Sequence, residues 1–212
     1  MGNIVGSLEV PNLLRARKNL VLAVTERQRD ILIGCVLGDA YIAKRGQIRI
    51  EQSHRQIEYV NWKYQGLSSL AYPALPRTID RIHKKSGQKY RSTFFSLRQY
   101  FRPWRLLFYP SGKKIFPERL SISPISLAVW YMDDGCWTGS KCVIATEGFD
   151  DPSIGRIQIM LQSHYGIKSL VGKNRKLTIR KQSHDTFYKL ISPNIVSSMK
   201  YKIPNPVTTF SA

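Results

Sequence analysis

Acid is scarce in this sequence beside base. Its 212 residues carry 14 Asp and Glu against 33 Lys and Arg, a formal net charge of +19. A surplus of that size points to a polyanionic partner, and a footprint of phosphate contacts is its usual meaning. Cysteine is also scarce. Cys35, Cys136 and Cys142 are odd in number and lack zinc-ligand spacing, which argues against a disulfide scaffold and for free thiols in an intracellular protein. No apolar run approaches the roughly 20 residues needed to span a bilayer, so no membrane partner is expected. The first 25 residues hold short apolar patches broken by charge, without a signal-peptide core. Their basic content is compatible with an organellar presequence, and the reading does not separate mitochondrion, chloroplast and prokaryotic cytoplasm. A hydrophobic fraction of 42% supplies a real core, which excludes wholesale disorder.

Against that scarcity, the stretch SLAVWYMDDGCW (126–137) places two adjacent acids, Asp133 and Asp134, at the end of an apolar run. ILIGCVLGDAYI (31–42) repeats the arrangement, ending in Asp39 beside Gly38. Asp39 and Asp134 are 95 residues apart. Later segments match loosely too: WRLLFYPSGKKIFP (104–117) resembles FYKLISPNIVSSMKYKIP (187–204). An internal duplication explains both matches. It divides the chain into residues 1–120, with an N-terminal extension over 1–24, and residues 121–212.

Start signals place both apolar runs on helices. Thr25 followed by Gln28 reads as a capping box for a helix to about Gly38. Ser123 then Pro124 reads as an N-cap and first-turn proline for a helix ending near Gly135. A β-like segment follows each, QIRIEQ (47–52) and KCVIATE (141–147), then an amphipathic helix, two further strands and a closing helix. The order is α-β-β-α-β-β-α, twice, an α+β fold with two antiparallel sheets.

Basic residues concentrate on the strands. Arg77, Arg81, Lys84, Lys85, Lys89, Arg91 and Arg98 interleave with apolar residues in the first half, and Lys168, Lys173, Arg175, Lys176, Arg180 and Lys181 in the second. Lys44, Arg45 and Arg49, around the first strands, join the candidate set. Alternation puts apolar side chains on one face of a sheet and basic ones on the other. Two such sheets related by an approximate twofold would suit a long duplex, since β-ribbons can enter the major groove. The competing reading is a basic face that is merely solvated. The four histidines, His54, His83, His164 and His184, have no ligand spacing.

LIGCVLGDA and LAVWYMDDG resemble the two motifs of the single-chain LAGLIDADG homing endonucleases. LGDAYI, SLAVWYMDDG and the closing MKYKIPN are similar to the omega-intron subfamily, and the resemblance extends thinly over nearly the whole chain. It implies a pseudo-twofold saddle in which the two motif helices pack side by side and their terminal acids meet at the scissile phosphates of DNA. Gly34 and Gly38 give the first helix a small-residue strip for close approach. The second helix departs from this, with Val129 and Asp133 at the matching positions, so its close packing is expected to rely on Ala128 and on its partner's glycines.

Two carboxylates beside phosphate repel unless a cation neutralises them. Mg²⁺ accepts one or two carboxylates with phosphate oxygens and water. The resemblance implies Asp39 and Asp134 as direct ligands, the carbonyls of Gly38 and Asp133 assisting, and Mg²⁺ as the cofactor, with Mn²⁺ or Ca²⁺ as substitutes. Asp133 has a rival reading as an acid facing solvent or a basic neighbour, but motif register favours Asp134. The bland alternative for both motifs is two unrelated helix ends with acidic caps. Because acids at a helix C-terminus oppose the macrodipole, a compensating cation is expected there. By the family pattern Lys114 and Lys202 lie beside the scissile phosphates. Gln52 and Glu147 end the strand after each motif helix, where they would position the attacking water, with Glu51 competing for Gln52's role under a one-residue shift.

The resulting expectation is a monomer that binds a long, asymmetric double-stranded DNA site and hydrolyses both strands with divalent metal, leaving short 3′ overhangs to promote intron homing. Two rivals remain: a maturase whose partner is intron RNA, and a non-catalytic DNA-binding protein of the same fold.

Overall fold

The computed structural model describes residues 8–17, 20–82 and 86–204. Lys84 and Lys85, both expected to contact DNA, lie outside the described residues, as does His83. At the N-terminal end, β1 (Leu13–Arg17) and β2 (Leu20–Ala23) form an antiparallel hairpin inside the expected extension. Leu14 is fully buried while Leu13 is exposed, so the strand alternates but is too short to announce itself. Trp104 ties the preceding segment down by donating its indole N–H to the Pro11 carbonyl at 2.8 Å.

The first motif helix is α1 (Glu26–Leu37). Its capping box is as expected: Thr25 Oγ1 accepts from the Gln28 N–H and Gln28 Oε1 from the Thr25 N–H, an arrangement whose cap alone contributes about 1 kcal/mol. From Ile31 to Leu37 every residue is buried. A helix apolar on all sides belongs at the centre of a molecule. After it come β3 (Tyr41–Ile42), β4 (Ile48–Ser53), α2 (Ile57–Leu67), β5 (Arg77–Ile82), β6 (Lys89–Ser96) and α3 (Arg102–Phe108).

The second motif helix is α4 (Pro124–Asp134), with Ser123 accepting from the Ser126 N–H and Pro124 in the first turn. Its run from Ser126 to Met132 is likewise buried. Then follow β7 (Gly135–Trp137), β8 (Cys142–Ile144), α5 (Asp151–Tyr165), β9 (Ser169–Val171), β10 (Leu177–Ile179) and α6 (His184–Ile191). The strand orders match: β3-β4-β6-β5 in one four-stranded sheet, β7-β8-β10-β9 in the other, with every pairing antiparallel.

The central helices α1 and α4 pack against each other. A Cβ on Gly34 would stand 2.6 Å from the Val129 Cβ, and one on Gly38 would stand 2.5 Å from the Asp133 Cβ. Each bulky departure of the second helix therefore sits opposite a glycine of the first. Ser126 adds a crossing hydrogen bond to the Asp30 carbonyl at 2.8 Å. Among the described residues no helix is long and apolar enough to cross a membrane. All three cysteines are free, with Cys35 and Cys142 buried.

Candidate active site

Both central helices end in acid, and each end is met by a lysine. Lys114 Nζ donates to the carbonyls of Gly38 at 2.5 Å and Leu37 at 3.2 Å. Lys202 Nζ donates to those of Met132 at 2.5 Å and Asp133 at 3.0 Å. These are the cations that the macrodipole argument calls for at helix C-termini. Local structure fixes each lysine's approach. The Ile115 N–H, next to Lys114, bonds the Phe108 carbonyl, while the Lys202 carbonyl accepts from the Tyr131 hydroxyl at 2.7 Å. Burial pulls both lysines below the ordinary value, opposed by the charges of Asp39, Asp133 and Asp134.

Asp39 is exposed and Asp134 half-buried. Burial, then the charges of Asp39 and Asp133, push the Asp134 carboxyl up to about 7, with Lys114 offsetting only part of the rise. Carboxylate and carbonyl oxygens gathered at the two helix ends are the donor set that a hard divalent cation prefers, and one bound there would relieve the repulsion between the acids. Among the described residues no three His, Cys, Asp or Glu side chains group closely enough to hold an ion alone. A cation here would therefore complete its shell from main-chain carbonyls, phosphate and water.

The Asp133 side chain takes the second of its two rival routes, a basic neighbour, but inside the molecule rather than at its surface. It is fully buried, 2.6 Å from Lys63 Nζ, and accepts from the Tyr59 hydroxyl at 2.9 Å. Burial opposes the charge on Lys63, but Asp133, Cys35 and Asp39 outweigh it and hold the ammonium above its usual pKa. Lys63 and Tyr59 escaped the sequence reading. The available signal was their spacing: a lysine four residues after Tyr59 and four before Leu67 falls on the buried stripe of α2.

Gln52 and Glu51 separate cleanly by strand alternation. Gln52 faces inward, donating from Nε2 to Asp39 Oδ2 at 3.0 Å and Asp133 Oδ1 at 3.1 Å. Glu51 faces out, bonded by Arg49 at 2.8 Å, Arg81 at 3.0 Å and Ser92 at 2.5 Å. Burial raises the Glu51 carboxyl, but those three donors more than offset it and leave it below the usual carboxylate value. Glu147, the counterpart of Gln52, does not join the acids. It pairs with Lys176 at 3.3 Å, with both side chains substantially exposed.

The expected basic residues divide between faces. Cross-strand register puts Arg49, Arg77 and Arg81 on the open face with Ser92 and Phe94, and the Arg49 guanidinium lies 3.6 Å over the Phe94 ring. Arg91 sits opposite Asp80, one residue out of phase, so it points to the other face and pairs with Asp80 at 2.7 Å. Arg98 donates to the Ala71 carbonyl at 3.0 Å. Lys44 and Arg45 are exposed in the turn between β3 and β4. In the second sheet, Lys168–Arg180 and Gly172–Lys176 backbone bonds continue the β9–β10 ladder. Alternation then sets Lys168, Lys176 and Arg180 on the face of Leu170 and Thr178. Arg175 is engaged elsewhere, donating to the Phe149 carbonyl and pairing with Asp151 at 3.0 Å from a left-handed turn position, φ 61°. Lys173 is exposed in the turn between β9 and β10, and Lys181 is exposed at the start of the 3₁₀ turn that follows β10. The single basic face per sheet is thus narrower than the residue count implies.

Residues 29–187 match the LAGLIDADG DNA endonuclease family. Among similar proteins, Cytochrome b mRNA maturase bI2 of Saccharomyces cerevisiae is 30% identical over 83% of this chain. The chain spans about half that relative's length, 47%. The protein of the same description from Debaryomyces hansenii is also 30% identical, with 83% of this chain and 73% of the relative covered. A probable intron-encoded endonuclease 1 of Wickerhamomyces canadensis is 25% identical over 90% of both chains. Among solved structures, the homing endonuclease I-WcaI bound to its DNA recognition sequence aligns with a TM-score of 0.75 at 23% identity, covering 85% of this chain and 87% of that one. That likeness establishes the fold.

Proposed function

This chain belongs to the LAGLIDADG DNA endonuclease family, and from that premise we propose that it is a site-specific homing endonuclease. Its substrate is a long, asymmetric double-stranded DNA site, bound by a monomer, with both strands hydrolysed to leave short 3′ overhangs. The observation that carries the reading is the matched pair of helix ends. Each presents an acid, Asp39 or Asp134, with a lysine on its last carbonyls.

Asp39 and Asp134, with the carbonyls of Gly38 and Asp133, would hold a divalent cation such as Mg²⁺, which when bound supplies an activated water and neutralises charge at the scissile phosphate. Lys114 and Lys202 bring one ammonium to each helix end, where it can stabilise charge that builds on the phosphoryl oxygens. Gln52 orients the Asp39 carboxylate through its amide. Arg49, Arg77 and Arg81 on one sheet, and Lys168, Lys176 and Arg180 on the other, offer cations to backbone phosphates or to base edges in the groove. The DNA-bound state of I-WcaI supports the same ligand here.

A second reading, binding of intron RNA as a maturase, is favoured by the names of the two relatives at 30% identity. One experiment addresses both. Purified protein with Mg²⁺ is offered a pool of duplexes, including the rejoined exons that flank its gene, beside structured RNA from the intervening sequence. Cutting at one duplex sequence supports the endonuclease. Tight RNA binding without cutting of any duplex would replace it with the maturase.

A further inference from the structure

We propose that Asp133, clamped by Lys63 and Tyr59, is a positioning residue for one cleavage centre alone; this rests on the endonuclease reading above. Asp133 stands at the position of the second motif that Gly38 holds in the first, 95 residues apart. Gly38 has no side chain to send across the helix pair. Its missing Cβ leaves the space through which the Asp133 side chain passes into the first half.

Among the described residues, the hydrogen-bond partners of the Asp133 carboxylate all come from that first half. Lys63 Nζ lies at 2.6 Å, the Tyr59 hydroxyl at 2.9 Å, Gln52 Nε2 at 3.1 Å and the Asp39 N–H at 3.4 Å. The Tyr59 hydroxyl is itself within 3.1 Å of the Val129 carbonyl, on the same turn of α4. Lys63 is 1% exposed and the Asp133 side chain 0%, so solvent does not compete for either charge.

The chain of contacts continues to the reacting end of the site. Gln52 Nε2 has two hydrogens, one directed to Asp133 and the other to Asp39 Oδ2. With the first held by a buried, charge-paired acceptor, the amide plane is set and the second hydrogen is aimed at Asp39. Lys63 and Tyr59 orient Asp133, Asp133 orients Gln52, and Gln52 orients the Asp39 carboxylate. This is the way outer groups fix the ligands of a cation site.

Among the described residues no such chain serves Asp134. The positions 95 residues after Tyr59 and Lys63 are Ile154 and Gln158. Ile154 carries no polar atom, and Gln158 donates to the Ser169 carbonyl at 3.2 Å. Glu147, in the place of Gln52, is paired outward with Lys176. The clamp is therefore one-sided, and its loss should be felt on one DNA strand.

The test is strand-resolved single-turnover cleavage at saturating protein and Mg²⁺, with each strand end-labelled. Lys63→Met should change the ratio of the two strand rates at least tenfold, and Tyr59→Phe at least threefold. The strand that slows should be the one slowed by Gln52→Ala. Binding of uncut duplex in Ca²⁺ should stay within about threefold of wild type. Should Lys63→Met fail to fold, Tyr59→Phe still decides, since it keeps the ring and removes a single hydroxyl. Equal slowing of both strands, or an unchanged ratio in Tyr59→Phe, would make the cluster a structural ion pair and overturn the proposal. A wild-type protein that cuts neither strand would instead defeat the endonuclease reading on which it stands.

Discussion

Lys114 Nζ lies 2.5 Å from the carbonyl oxygen of Gly38, at the end of the first central helix. Lys202 repeats the contact on the second helix through the Asp133 carbonyl. Their sequence spacing is 88 residues rather than the 95 of the acids, so the segments that deliver them differ. Under the proposed function each ammonium serves its own centre. Lys114→Met and Lys202→Met should then slow different strands, each by a factor of ten or more, where tenfold corresponds to about 1.4 kcal/mol in barrier. Supercoiled plasmid carrying the site should accumulate a nicked form whose broken strand depends on the variant. Identical strand rates in both variants would remove these lysines from separate centres.

Arg81 and Arg91 differ by face rather than by charge. Arg81 opposes Tyr90 on the open side of the sheet, while Arg91 opposes Asp80 on the other side. Arg81→Ala should weaken target binding by about 1–3 kcal/mol and relax one position if it reads a base. As a phosphate contact it would instead lower the salt slope by about one unit for every sequence. Arg91→Ala should leave target affinity within about twofold. Equal losses from both would mean that the open face is not the DNA face.

Glu51 links the sheet to pH. Its carboxyl is held below the usual value near 4.5, burial being outweighed by Ser92, Arg49 and Arg81. A folded-state pKa below the unfolded one stabilises above the unfolded pKa, and that contribution is lost as pH falls through the folded value. Glu51→Gln should therefore be less stable than wild type at pH 7, with the gap narrowing below about pH 4.5. Urea unfolding of both proteins across pH 3 to 7 measures this. A gap that widens on acidification would reverse the sign of the argument.

What the sequence made legible is local or repeated. Thr25, Gln28, Ser123 and Pro124 are start signals read within four residues, and Asp39 and Asp134 stand out because the second motif repeats the first. Lys114 and Lys202 sit in matching segments of the repeat, and the family resemblance singled them out. The Asp133–Lys63 contact was not legible, because its partners lie 70 residues apart and neither residue type reports burial. The face that Arg91 takes was not legible for another reason. It depends on the register between β5 and β6, and a one-residue difference in phase reverses a side chain. The divergence of Glu147 from Gln52 also follows from partners: Lys176 offers Glu147 an outward ion pair, while Gln52 finds two acids inward. The hairpin of β1 and β2 is nine residues in two short strands, too few for an alternating pattern to emerge.

The most direct test of the account separates cutting from holding. Asp39→Asn and Asp134→Asn each remove one carboxylate from the acidic cluster while leaving the open basic faces intact. Double-strand cleavage in Mg²⁺ should be abolished in both, because removing a ligand of the cation costs the transition state far more than it costs phosphate contacts. Affinity for the uncut duplex should stay within about tenfold of wild type, and the Asp134 variant should lose none of its stability, since that carboxyl is strained by burial and by its acidic neighbours. Cleavage and binding measured side by side on one labelled duplex give the answer. Full cutting by Asp134→Asn, with target binding intact, would contradict the assignment of these two acids as the centre of the reaction.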